Sequence, residues 1–105
     1  TRVLVYVLDL TSNPEDDFAT VRREMEAFDP EMLVRPALIA LNKVDLVEPA
    51  EAANLARKMH AATGLTTFVI SAEAHLGLDP LVAALAHALK EAPEVALAID
   101  APDRL

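Results

Sequence analysis

Three short apolar runs alternate along this chain with longer stretches in which apolar residues recur every three or four positions. The runs are Val3 to Leu8, Ala37 to Leu41 and Thr66 to Ile70. The first run is apolar at every position, as is typical of a strand buried on both faces of a parallel sheet. This alternation predicts an α/β fold, a three-stranded parallel β-sheet with flanking helices in the order βαβαβα.

Each helical stretch carries signals for where it begins or ends. A capping residue or a proline in the first turn marks a start, and glycine can supply a left-handed stop. The marking residues are Asn13 and Pro14 for the first helix, Pro49 and Gly64 for the second, and Asp79 and Pro80 for the third. The faces predicted to pack inward are Phe18, Val21, Met25 and Phe28; then Ala52, Leu55, Ala56, Met59 and Ala62; then Leu81, Val82, Leu85 and Leu89.

Composition and charge narrow the classes of protein to which the chain can belong. Its 105 residues, 53% of them hydrophobic, suffice for one small domain with its own core. No apolar run approaches the roughly 20 residues that cross a bilayer, so we expect no membrane partner and a cytoplasmic location. The lack of cysteine excludes disulfides and thiolate metal sites. A net charge of −8 opposes direct binding to nucleic acid.

Asn42-Lys43-Val44-Asp45 directly follows the second apolar run and has the pattern N-K-x-D. The ionised carboxylate of Asp45 can accept both the ring N1 hydrogen and the exocyclic amino group of guanine, whereas adenine presents an acceptor at N1. Asn42 has a donor and an acceptor for the other edge of the base or for a neighbouring loop, and the stem of Lys43 can cover a ring face. The motif indicates recognition of a guanine nucleotide, GTP or GDP.

A second motif, Ser71-Ala72-Glu73, follows the third apolar run. Ligands of open α/β sheets bind beyond the carboxyl ends of the strands, which is where both motifs fall. With the segments Arg2 to Asp9, Phe28 to Leu33 and Arg35 to Leu46, these motifs resemble the Obg (CgtA) family of bacterial GTPases. The resemblance extends from about Thr1 to Glu91.

The resemblance implies that residues 1–92 are the C-terminal half of an Obg-type GTPase domain, a partial P-loop NTPase fold. Residues 93–105 would lead as a linker toward a further domain, and Val95 to Ile99 is compatible with a short strand. The implied base-binding residues are Asn42, Lys43, Asp45, Ser71, Ala72 and Glu73. Ala72 would offer its backbone amide to guanine O6, Ser71 would either brace the loop or contact the ligand, and Glu73 stands where many GTPases have a lysine. Obg proteins usually continue with threonine and glycine, whereas this chain has Ala74 and His75.

The phosphate-binding motifs of such a GTPase are missing from these residues. Neither glycine, Gly64 or Gly77, belongs to a G-x-x-x-x-G-K-[ST] sequence, and neither completes an Asp-x-x-Gly switch motif. Phosphoryl transfer depends on those groups and on Mg²⁺, so this chain alone is predicted not to hydrolyse GTP and to contain no catalytic residue or metal ligand. By resemblance, the parent protein is a GTPase that uses Mg²⁺ and associates with the large ribosomal subunit.

Two alternatives remain open from the sequence. In a receiver-like signalling module, Asp9 at the end of the first strand would accept a phosphoryl group, although the same residue could simply bond loop amides beside the site. In a structural fragment, the exposed edge of the first strand would pair with another copy, giving self-association. His60, His75 and His87 lack metal-ligand spacing.

Overall fold

Strands and helices alternate along the chain as the sequence predicts. The computed structural model describes residues 2–89 and 94–99, with the backbone alone at residues 2 and 94–99. In chain order the elements are β1 (Arg2–Asp9), α1 (Pro14–Phe28), a first 3₁₀ helix (Pro30–Val34), β2 (Ala37–Asn42), a second 3₁₀ helix (Val44–Leu46), α2 (Pro49–Thr63), β3 (Thr66–Val69), α3 (Leu78–Ala88) and β4 (Glu94–Ile99).

All strand pairs in the sheet are parallel, and the strand order is β3-β2-β1-β4. The predicted α/β class, with three parallel strands and flanking helices, is confirmed. The compatible short strand in the tail is present as β4 and pairs with β1 over six residues, from Arg2 with Glu94 to Val7 with Ile99. Residues 93 and 100–105 of the predicted linker lie outside the described residues, and the division of the chain after residue 92 stays a prediction.

The first strand has no open edge, contrary to the expectation of self-association through it. One edge of β1 pairs with β2 and the other with β4, so its backbone groups already have partners within the chain. The expectation was wrong because it left the tail strand out of the sheet. Among the described strands, β3 and β4 form the edges of the sheet.

The sheet separates two apolar cores because alternate residues of a strand point to opposite faces. Leu4, Tyr6 and Leu8 of β1 pack with α1 and α2 on one face, whereas Val5 packs with Leu81 of α3 on the other. The Tyr6 ring is fully buried and meets Phe18 edge to face, with ring centroids 4.9 Å apart. Helices therefore cover both faces and leave the strand ends accessible to ligands.

Local signals place the first two helices correctly. The side-chain oxygen of Asn13 accepts from the Asp16 amide at 3.3 Å, as an N-cap should, and Gly64 ends α2 in the left-handed region at φ 75°. Phe28, however, is 93% exposed and not part of the core. It is the last residue of α1, and Met32 from the following 3₁₀ helix packs against the core instead.

The third helix differs from its prediction in both its start and its buried face. It begins at Leu78 after Gly77, so Asp79 and Pro80 lie inside its first turn. Leu81 and Leu85 contact the core, but Val82 is 60% exposed. Leu81 and Leu85, four positions apart, set the side of α3 that faces the sheet, and the step of about 100° to the next position turns Val82 away from it.

Within the described residues, no helix combines the length and the apolar character needed to cross a membrane.

Candidate functional site

The loop after β2 carries the N-K-x-D motif on a distinctive backbone. Asn42 is the last residue of β2, and Lys43 adopts a left-handed conformation with φ 73° and ψ 34°. The chain then turns into the second 3₁₀ helix, where the Leu46 amide donates to the Lys43 carbonyl at 2.9 Å. A left-handed non-glycine residue costs about 1 kcal/mol or more, so contacts around the loop must hold this shape.

The loop after β3 is closed on itself by Ser71. Ser71 and Leu76 exchange two backbone hydrogen bonds, at 2.9 and 3.0 Å, and the Ser71 hydroxyl accepts from the Ala74 amide at 3.0 Å. Ser71 is only 1% exposed, so its hydroxyl braces the loop rather than facing solvent. In the Ala74-His75 segment of this loop, His75 has a left-handed backbone with φ 58°.

Direct hydrogen bonds join the two loops. The side-chain oxygen of Asn42 accepts from the Ala72 amide at 3.0 Å, and the Val44 amide donates to the Ile70 carbonyl at 3.0 Å. The side-chain oxygen of Asn42 therefore joins the two loops, which is one of the two roles predicted for this residue. The Ala72 amide, which the sequence assigns to guanine O6, donates to Asn42 in this structure.

Lys43 forms an ion pair across the strand ends. Its Nζ lies 2.8 Å from Oδ2 of Asp9, the last residue of β1 and the register partner of Asn42. The other carboxylate oxygen, Oδ1, accepts from the Thr11 amide at 2.8 Å and from the Thr11 hydroxyl at 2.6 Å. Asp9 therefore does bond a loop amide beside the site, as its alternative interpretation held.

Opposing influences act on the pKa values of this pair. Partial burial acts to raise the pKa of Asp9, but hydrogen bonds from Lys43 and Thr11 outweigh it and hold the pKa below the ordinary value. The hydrogen bond to Asp9 raises the pKa of Lys43, and weaker attractions to Glu73 and Asp45 add to that effect. Both groups are therefore charged at neutral pH.

Asp45 and Glu73 lie on the open side of the two loops. Both residues are exposed, and both attract the Lys43 ammonium at longer range. Asp45 belongs to the second 3₁₀ helix, which fixes its backbone next to the Lys43 turn. Its carboxylate can therefore accept two donors from one edge of a ligand.

The structure brings all six predicted residues onto these two adjacent loops. It adds Asp9 and Thr11, which the sequence did not place in the site. The signal for Asp9 was its position at the carboxyl end of β1, beside β2, which ends at Asn42 just before Lys43. The receiver-like alternative calls for a second acid beside Asp9, and the group paired with Asp9 is instead Lys43.

The lowered pKa of Asp9 predicts a loss of stability in acid. The contribution of the ion pair is fully present above the ordinary aspartate value of 3.8 and is lost as the pH falls through the lower value of the folded chain. Asp9→Asn should therefore show a weaker dependence of unfolding free energy on pH below about 4 than the parent chain. Urea denaturation over acid pH measures it, and identical dependence in both chains would contradict the prediction.

Comparison with known proteins places the chain in a family. No protein-family model matches it. A protein named GTPase Obg from Deinococcus radiodurans is 43% identical over 91 residues, which are 87% of this chain and 20% of that protein. A protein of the same name from Herpetosiphon aurantiacus is 38% identical over 90% of this chain and 23% of its own length. Another, from a Synechococcus species, is 36% identical over 78% of this chain and 24% of its own length.

The chain spans about a fifth to a quarter of the length of these relatives. Identity at this level over most of the chain agrees with the resemblance seen in the N-K-x-D and S-A-x motifs and with the parallel α/β fold. The chain therefore belongs to the Obg family of GTPases, as a segment matching part of its members.

Proposed function

We propose that this chain is the base-recognition part of an Obg-type GTPase domain and that it binds the guanine of GTP or GDP. The hydrogen bond from the Ala72 amide to the Asn42 side chain carries the proposal, because it joins the two sequence motifs into one site at the strand ends. The residues of the proposed base site are Asn42, Lys43, Asp45, Ser71, Ala72 and Glu73, of which Ser71 acts by bracing the second loop.

Each residue has a role that its chemistry supports. Asp45 accepts the two adjacent guanine donors, and its exposure leaves the carboxylate accessible to them. The stem of Lys43 covers the base, and Ser71 keeps the second loop in shape through its contact with Ala74. Glu73 contributes its methylenes at the rim.

Binding exchanges one contact in the free site. The Ala72 amide, now donating to Asn42, turns its hydrogen bond toward guanine O6. Asn42 then uses its amide group on the other edge of the base, where guanine offers an acceptor. The exchange replaces one hydrogen bond by two, so the Asn42 contact joins the loops in the free site and does not block the base.

Hydrolysis belongs to the complete protein in this proposal. Phosphoryl transfer needs a phosphate cradle and Mg²⁺, which the P-loop and switch residues of such a protein provide and these residues do not, so the chain alone is inactive. By family resemblance the complete protein hydrolyses GTP to GDP and phosphate in the cytoplasm and takes part in assembly of the large ribosomal subunit.

Amide NMR of this chain during titration with GDP, and with ADP as a matched control, tests the proposal. We expect GDP-selective shifts at residues 42–45 and 71–73, with a dissociation constant on the order of 1 mM because base contacts act without a phosphate cradle. Equal shifts with ADP, or none with either nucleotide, would contradict recognition of guanine by this chain.

A further inference from the structure

Three acidic side chains among the described residues attract the ammonium group of Lys43. Asp9 holds it at 2.8 Å, while Asp45 and Glu73 attract it from farther away. Lys43 is half exposed, with 47% of its side chain accessible, so its flexible stem could reach other partners if Asp9 were not there. Asp9 therefore determines which acidic group Lys43 pairs with.

Asp9 is itself held firmly. Its side chain is only 14% exposed, and Oδ1 accepts two hydrogen bonds from Thr11. The backbone around it is fixed as well, because Asp9 is in register with Asn42 and the Leu10 amide donates to the Asn42 carbonyl at 3.0 Å. A carboxylate fixed this way holds a flexible lysine at a lower entropic cost than an exposed one would.

We infer that Asp9 is a positioning residue of the guanine site: by holding the Lys43 ammonium at the end of β1, it keeps this cation from pairing with Asp45 and leaves the Asp45 carboxylate free to accept guanine. The inference rests on the proposed function. It also explains how a lysine and an aspartate two residues apart on one loop can both serve the ligand. Without Asp9, the acidic groups that still attract Lys43 among the described residues are Glu73 and Asp45, which line the site.

Asp9→Asn removes the charge and keeps the shape and an oxygen that Thr11 can bond. It should weaken GDP binding by about twofold to fivefold, the range of a partly exposed ion pair. Asp29→Asn is the matched control, since it removes the same charge at the first 3₁₀ helix and retains an acceptor for the Glu31 amide. The control should bind GDP as the parent chain does.

A double-mutant cycle separates action through Lys43 from a general structural effect. Lys43→Met retains an apolar stem and removes the cation that competes for Asp45, so adding Asp9→Asn to it should leave the GDP affinity unchanged. Titration of the Lys43 side chain by NMR gives a second readout. In Asp9→Asn its pKa should fall toward the ordinary lysine value, which tests whether Asp9 holds the ammonium in solution, and an unchanged pKa would refute the inference.

The outcomes distinguish the two proposals. If the parent chain binds GDP selectively and Asp9→Asn binds it equally well, the role of Asp9 is refuted and guanine recognition stands. An equal loss of affinity in the presence and absence of Lys43 would also refute it, because Asp9 would then act by another route. If the parent chain ignores GDP, both proposals fail.

Discussion

Replacing Asp45 by asparagine should weaken GDP binding by about tenfold or more and shift the preference toward XDP. Hydrogen bonds to a charged group contribute about 1.5–3 kcal/mol, and guanine loses one of its two acceptors when the carboxylate becomes an amide. Xanthine carries a carbonyl where guanine carries its amino group, so the new amide donor of the variant meets an acceptor there. Affinities for GDP and XDP, measured in the intact GTP-binding domain, give the ratio.

The same comparison needs a variant that loses a negative charge elsewhere. Asp29→Asn serves again, because Asp29 lies at the start of the first 3₁₀ helix and its side chain accepts from the Glu31 amide of that turn. It should retain the parent preference for GDP. An unchanged GDP to XDP ratio in Asp45→Asn would show that Asp45 does not read the base, whatever the absolute affinities.

The second large effect is expected at Gly77. This residue has φ 71°, and a β-carbon built on it would lie 2.3 Å from the Val69 carbonyl oxygen. Gly77→Ala therefore combines left-handed strain with a backbone clash and should lower the free energy of unfolding by about 3 kcal/mol or more. Urea denaturation of this chain measures the loss.

Gly64 provides the matched control within the same chain. It has φ 75°, but a β-carbon there would meet nothing within 4 Å. Gly64→Ala should thus lower the free energy of unfolding only by the strain term, about 1 kcal/mol. Equal losses in the two variants would mean that the loop after β3 moves away from the Val69 carbonyl at little cost.

Where a structural feature depends on neighbours in sequence, it could be predicted from the sequence. The N-cap at Asn13 and the left-handed stop at Gly64 act within one helical turn, and both appear as expected. The start of α3 could not be predicted in the same way, because the approach of Val69 to Gly77 is a contact between a strand and a loop. Likewise, the exposure of Val82 depends on which side of α3 faces the sheet.

In the candidate site, too, local features could be predicted from the sequence and contacts between distant residues could not. The motifs located both loops, because strand ends in a parallel sheet gather on one edge. The bond between Asn42 and Ala72, and the ion pair between Asp9 and Lys43, required the register of neighbouring strands and could not be obtained from spacing. Ser71 lies between these two cases. The sequence left open whether its hydroxyl would brace the loop or contact the ligand, and in the structure this hydroxyl accepts from the Ala74 amide within the loop.

The position of β1 in the sheet has a consequence for folding speed. This strand precedes all the others in the chain, yet it lies inside the sheet and pairs on one side with β4, so that Arg2 meets Glu94. Pairings so distant in sequence incur loop-closure entropy before they stabilise the fold, which makes formation of such sheets slow. One side of the apolar run from Val3 to Leu8 therefore stays unpaired until residues 94–99 dock beside it, which exposes this run to misassembly while the sheet forms.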